Sequence, residues 1–193
     1  MSESQNKTTI INQETAKCLQ VFSKNGVILY PTDTIWGLGC PASDGFAIEK
    51  IYQIKNRPKE KNLILLVNSV QMLVKYTKIS GENLQKVLMK QNKPLTVIYP
   101  ECFNLPNFVG SIAIRLTLEP FCVSLIEQIG EPLISTSANL SGESTAANFG
   151  QINPKIKEKV DYVVNFRQEE TQKSESSRII KLLENDQIEI IRE

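Results

Sequence analysis

The sequence predicts an α/β protein: a twisted, curved mixed β-sheet flanked by helices. Three observations carry this expectation. Short apolar runs of strand length recur along the chain, about seven or eight of them, bounded by Pro, Gly, Asn and Asp. About three to five stretches of helical periodicity lie between them. The two kinds do not alternate in regular βαβ order, which argues for a mixed sheet covered by helices and against a strictly parallel one.

The elements follow in order. A first helix is expected over about Gln13 to Lys24, with Asn12 as N-cap and Gly26 near the C-cap position. "GVILYP" reads as a strand, with Pro31 marking its end. The following "TDTIWGLGC" reads as a polar turn in which Gly37 and Gly39 let the chain fold back tightly. "ASDGFAIEKIYQIKNRP" reads as a helix capped by Ser43 or Asp44, with Ala47, Ile51 and Ile54 at helical spacing. Pro58 disfavours helical geometry at Arg57, so the helix should stop near there. "NLILLVN" is a short buried strand, followed by two helical stretches, "SVQMLVKYT" and "SGENLQKVLMKQ". "PLTVIYP" and "SIAIRL" read as strands, "EPFCVSLIEQI" as a helix, and "EPLISTSANLSG" as a strand ending in a hydroxyl-rich loop. The last third is more polar. "PKIKEKV" reads as a short helix, "DYVVNF" as a strand, and "RIIKLLENDQIEIIRE" as two strands turning at Asn185-Asp186.

Composition narrows the chemistry. With 193 residues, 41% hydrophobic and 22% charged, the chain is expected to form a single domain over residues 1–193. A net charge of +1 supplies no global pull toward nucleic acid or membrane. No stretch approaches the ~20 apolar residues of a membrane span. The polar start "MSESQNKTTIINQ" lacks the apolar core of a signal peptide, so a cytoplasmic protein is expected. The scattered Cys18, Cys40, Cys102 and Cys122 read as reduced thiols. There is no histidine, which removes Ser-His-Asp triads, Cys-His pairs and His-based zinc sites. Lys, Arg, carboxylates, hydroxyls and backbone remain, a set suited to phosphate chemistry, where catalysis is mostly positioning and charge neutralisation.

Three polar clusters stand out. Thr32, Asp33 and Thr34 either hold a small ligand at a strand end or make local bonds in a turn. Lys55 and Arg57, followed by Lys59, Lys61 and Asn62, either clamp phosphate or complement the negative end of a helix. "STSANLSG", Ser135 to Gly142, either cradles phosphate or ribose or is a polar surface loop. All three lie at element ends, where α/β proteins usually place ligands.

"PTDTIWGLGCPASD", "IKNRP", "SIAIR" and "STSANLSG", in this order and at these separations, resemble the YrdC family of threonylcarbamoyl-adenylate synthases. The similarity covers about Gly26 to Gly150 well and the C-terminal part loosely. It implies a YrdC-like curved sheet with a large concave cavity, and a nucleotidyltransferase reaction. L-threonine, bicarbonate and ATP, with substrate-borne Mg²⁺, give L-threonylcarbamoyl-AMP and pyrophosphate. Downstream transfer proteins then modify adenine 37 of tRNAs reading codons that begin with A. By this resemblance the catalytic set falls on Lys55, Arg57, Ser137 and Asn139, and the threonine contacts on Thr32, Thr34 and Arg115. The ATP contacts fall on Lys55, Arg57, Lys61, Ser111, Ser135, Ser137, Asn139, Ser141, Ser177 and Arg192, and no metal ligand is implied. Alanine at Lys55, Arg57 or Asn139 is expected to cut turnover while sparing the fold.

The sequence departs from the family pattern in places. Trp36 stands where a tyrosine is usual, Leu66 lies near a histidine some members carry, and "ESSRI" replaces a Gly-Pro-Ser-Thr-like segment. The additional C-terminal domain of longer relatives is not expected. Two other readings remain: a module binding tRNA or double-stranded RNA, and carbamoyl-adenylate chemistry as in the related domain of hydrogenase-maturation proteins.

Overall fold

Alternation along each strand builds a mixed sheet with two unequal faces. The computed structural model describes residues 3–56, 58, 63–78, 93–183 and 187–193. The helices are α1 (Glu3–Phe22), α2 (Gly45–Lys55), α3 (Val70–Leu73), α4 (Pro120–Ile129) and α5 (Pro154–Lys159), with a 3-10 turn at Phe149–Gln151. The strands are β1 (Ile28–Tyr30), β2 (Gly37–Pro41), β3 (Ile64–Val67), β4 (Leu95–Tyr99), β5 (Ile112–Leu116), β6 (Leu133–Ser137), β7 (Tyr162–Val163), β8 (Arg178–Leu182) and β9 (Ile188–Arg192). Among the described residues they form one sheet in the order β7-β1-β2-β6-β3-β5-β4-β8-β9. The β1–β7, β3–β5 and β4–β8 pairs are parallel and the other five antiparallel.

One face is covered by α2. Leu38, Cys40, Leu65, Ile114, Ile134 and Ile180 pack there with Ala47, Ile48, Ile51 and Ile54. On the other face, Ile28, Tyr30, Leu66 and Leu133 pack against α1 and α4 through Cys18, Phe22, Phe121 and Leu125. This second layer covers only part of its face. Register carries the same face onward from Leu133 to Ser135 and Ser137, and from Leu66 to Arg115, Thr96 and Ile179. Beyond α4 those side chains line an open pocket of about 280 Å³.

The helix caps show the local chemistry. Asp44 accepts from Ala47 N, and of the two candidates it is the α2 cap. Asn56 takes the left-handed C-cap position. Ser69 caps α3, and Glu119 caps α4 with Pro120 at its first turn.

Three expectations are corrected. Helix α1 begins at Glu3, so Asn12 lies inside it and not at its cap. The left-handed residue after α1 is Asn25, φ 56, and not Gly26. Gly26 serves close approach instead, since a Cβ there would lie 2.8 Å from the Val21 carbonyl oxygen. Gly37 and Gly39 are not a turn but alternate residues of β2, between β1 and β6. A Cβ at Gly39 would fall 2.7 Å from the Ile134 carbonyl oxygen and from Tyr30 Cε1, so glycine is required by the neighbouring strands. The expected helix "SGENLQKVLMKQ" and the turn at Asn185-Asp186 lie outside the described residues.

Candidate active site

The pocket floor is the uncovered sheet face, and its polar groups come from four segments, joined by Arg115 of β5 and Thr96 of β4. The first is the turn after β1. Thr32 is buried, and its Oγ1 accepts from Thr34 N at 3.0 Å, donates to the Ile35 carbonyl at 2.8 Å and meets Thr34 Oγ1 at 3.0 Å. Thr32 itself does not line the pocket; Thr34 does. Arg115, on β5 and 4% exposed, donates from Nη1 to Thr34 Oγ1 at 3.1 Å. Its Nη2 lies 3.1 Å from Asp33 Oδ1. That contact is coulombic: Oδ1 accepts no directed hydrogen bond, and the buried Arg115 Nε donates none. Arg115 therefore meets the pocket with donor capacity in hand, and a carboxylate is the natural acceptor for a guanidinium fork.

The second segment is the loop after β6. Ser135, Thr136 and Ser137 line the pocket. The Ser137 hydroxyl donates to the Asn139 side-chain oxygen, and Asn139 Nδ2 donates to the carbonyls of Leu140 and Glu143 at 3.0 and 2.7 Å. Lys55 at the end of α2 is 1% exposed. Its ammonium donates to the carbonyls of Ser137 and Asn139, the latter at 2.7 Å, and its own carbonyl accepts from Ser141 N at 2.8 Å. Lys55 thus fastens the loop rather than projecting into the pocket. Trp36 packs behind the loop at 4.7 Å from the Phe149 ring, and its carbonyl accepts from Ala138 N.

The third and fourth segments are β8 and β9. Ser177 is buried and shares a 2.8 Å hydrogen bond with Thr96 Oγ1. Arg192 donates to the Ser177 carbonyl through Nε and Nη2, at 3.0 and 2.7 Å. Burial first, and then the Arg115 charge, push the Arg192 guanidinium below its ordinary pKa. Two cations share one pocket.

Thr34, Arg115, Ser135, Ser137, Ser177 and Arg192 thus line one pocket, while Asn139, Ser141 and Lys55 support its loop. Ser111 lies elsewhere, in a cleft of about 350 Å³ beside Tyr52 and Asn107. Arg57 and Lys61 lie outside the described residues. Leu66, near the histidine of some relatives, is fully buried under α4. Sequence reasoning passed over Thr96, Thr145 and Ser176, which also line the pocket, as does Thr136 of the "STSANLSG" cluster. Thr96 left a signal, as the one aliphatic hydroxyl inside the apolar run "PLTVIYP".

Sheet and pocket together define an α/β protein whose open sheet face presents guanidinium and hydroxyl groups to one pocket, a lining suited to an anionic ligand. Residues 20–193 match the Sua5/YciO/YrdC family, whose description is telomere recombination, and the chain belongs to that family. Threonylcarbamoyl-AMP synthase of Pseudoalteromonas translucida is 33% identical over 157 residues, spanning 78% of this chain and 84% of that protein. The E. coli YciO structure superposes with a TM-score of 0.77 at 27% identity, over 95% of this chain and 89% of that one. P. abyssi Sua5 complexed with L-threonine gives a TM-score of 0.74 at 22% identity, over 89% of this chain. This chain spans 51% of that one, about half its length. Among the described residues no helix is long and apolar enough to cross a membrane.

Proposed function

We propose that the chain is a threonylcarbamoyl-AMP synthase, making L-threonylcarbamoyl-AMP and pyrophosphate from L-threonine, bicarbonate and ATP. The observation that carries this reading is the pair Arg115 and Arg192, two guanidiniums facing one pocket and close enough that the Arg115 charge is felt by Arg192. In a protein of net charge +1, such a pair favours a ligand with more than one anionic group.

The chemistry follows from charge. The threonine amine takes up the carbon of bicarbonate as a carbamate, with loss of water. A carbamate oxygen then attacks the α-phosphorus of ATP, and the bond to the bridging oxygen of pyrophosphate breaks. Arg115 and Thr34 would hold the amino-acid carboxylate, leaving its amine toward the middle of the pocket. Ser137 and Ser135 would orient phosphoryl oxygens, and Arg192 with Ser177 would take the nucleotide end. Lys55 would hold the Ser137–Asn139 backbone in the shape the phosphates meet, and bring positive charge beneath it. Arg57 and Lys61 would complete the phosphate contacts. Among the described residues no three His, Cys, Asp or Glu side chains group to hold a metal. Mg²⁺ would enter on the nucleotide phosphates and neutralise charge there.

The product is a reactive acyl-adenylate, so a protein transferring the threonylcarbamoyl group to tRNA adenine 37 would consume it, in the cytoplasm. The experiment is pyrophosphate release from Mg-ATP with L-threonine and bicarbonate added singly and together. Release that needs both is the expected result. Release independent of both, or none with all present, overturns the reading. Binding of tRNA with steep salt dependence but no turnover would favour the RNA-binding alternative.

A further inference from the structure

The turn that presents Thr34 is gripped from behind by groups outside the pocket. Two successive carbonyls are held there: Pro31 accepts from Cys122 Sγ at 3.5 Å, and Thr32 accepts from Arg167 Nη1 at 3.1 Å. Counting protons gives the linkage a direction. Thr32 spends its one hydroxyl proton on the Ile35 carbonyl, so Thr34 must donate the hydrogen bond between the two hydroxyls. Thr34 Oγ1 is then left with lone pairs, and one of them accepts from Arg115. A chain of hydrogen bonds thus runs from Arg115 through the Thr34 and Thr32 hydroxyls to the Ile35 carbonyl, and Arg167 holds the main-chain carbonyl of the same Thr32.

Arg167 is an unusual residue for its place. Its φ is 62, the left-handed region that suits glycine and disfavours a side chain. Its guanidinium is divided between two tasks. Nε and Nη2 pair with Glu170 at 2.8 Å each, a half-exposed contact of the kind that contributes little to stability. Nη1 turns inward, to the Thr32 carbonyl and to 3.5 Å from Glu119 Oε1. Glu119 is buried at the start of α4, where burial pushes its carboxyl up. An ion pair kept only for the surface would not need the inward contacts or the strained backbone.

The geometry points to Arg167 as a positioning residue for amino-acid recognition: by holding the Thr32 carbonyl it fixes the turn so that the Thr34 hydroxyl and Arg115 face the carboxylate of the bound amino acid. This rests on the L-threonine reading above and deepens it. No part of Arg167 lines the pocket.

Arg167→Gly and Arg167→Lys test the assignment against wild type. Glycine suits the left-handed backbone, so Arg167→Gly should fold and melt within a few degrees of wild type, with no contact left to the Thr32 carbonyl. The KM and calorimetric Kd for L-threonine should rise about tenfold, the loss typical of one charge-assisted hydrogen bond. The KM for ATP should stay within about twofold, because the nucleotide end rests on β8, β9 and the β6 loop. Arg167→Lys, able to reach one acceptor but not the fork of contacts, should fall between. An unchanged L-threonine affinity in Arg167→Gly would overturn the assignment. So would parallel increases in both KM values alongside a lower melting temperature, the mark of a merely structural role. Wild-type protein that binds no L-threonine would overturn the substrate reading itself, a result separable from failure of the Arg167 variants alone.

Discussion

The ammonium of Lys55 is held by the main-chain carbonyl of Asn139, at 2.7 Å, with the carbonyl of Ser137 as a second acceptor. A buried cation at the end of one helix thereby sets the shape of a loop distant in sequence. Its role is structural and electrostatic together.

The expectation that alanine at Lys55 spares the fold is revised accordingly. Lys55→Met keeps the aliphatic volume but takes the donor from the Asn139 carbonyl, at about 1–3 kcal/mol, and leaves the Ser137 carbonyl with Asn139 N alone. Thermal melting should fall by about 5–10 °C for a chain of this size, and pyrophosphate release should be lost with it. Asn139→Ala, by contrast, removes bonds made partly at the surface. It should lose turnover with a much smaller change in melting.

Arg115→Met separates substrate recognition from folding on the other side of the pocket. The variant removes the donor to Thr34 and leaves Asp33, whose side chain is 18% exposed, without its cation. The KM for L-threonine should rise by about a hundredfold, a bidentate charged contact being worth roughly 3 kcal/mol. Asp33→Asn in the same background should recover some thermal stability by removing the unpaired charge. Steady-state kinetics and melting curves check both statements.

Gly39→Ala tests the close approach of strands. The added methyl would press on the Ile134 carbonyl and the Tyr30 ring, both at 2.7 Å, and backbone must move to admit it. A destabilisation of about 1–3 kcal/mol is expected, read from denaturant unfolding. Gly37→Ala meets Ser135 Oγ at 3.1 Å and the Thr136 carbonyl at 3.2 Å. It should disturb the fold less and ligand binding more, since Gly37 lines the pocket.

Acid should weaken the fold through two carboxylates far from the pocket. Glu14 is buried, which by itself raises its pKa. Hydrogen bonds from Lys17, Tyr162 and Asn165 N outweigh that and hold the carboxyl below its ordinary 4.5. The partner Tyr162 is pushed up to about 12, by burial first and then by Glu14. Asp161 likewise lies below its ordinary 3.8: against the effect of burial, Lys50 and Val27 N hold the charged form. A carboxyl with a depressed folded pKa contributes stability above its unfolded pKa and loses it as pH falls through the folded one. Melting temperature should therefore hold steady down to about pH 4.5 and drop below it. Glu14→Gln and Asp161→Asn should each flatten that drop. An equally steep acid limb in both variants would place the effect elsewhere.

What sequence alone made legible was whatever depends on neighbours along the chain. The capping of α2 by Ser43 or Asp44 and the strand in "SIAIRL" follow from local hydrogen bonding and periodicity. The ordered motifs pointed to the family before any coordinates did. They also marked Thr34, Arg115 and Ser137, which the fold brings to one pocket with Ser177 and Arg192 from the more loosely similar C-terminal part. Tertiary structure decided what depends on groups distant in the chain. Gly37 and Gly39 look like a turn in sequence because glycine is the residue of turns. They form a strand because β1 and β6 supply hydrogen bonds on both sides and leave no room for side chains. Lys55 reads in sequence as a phosphate clamp or a helix-end charge, and neither reading contains the Ser137 and Asn139 carbonyls that hold its ammonium. Thr96 and Arg167 carry no motif. One is set in the pocket by cross-strand register and the other reaches the Thr32 carbonyl across the fold, distances that no local pattern encodes.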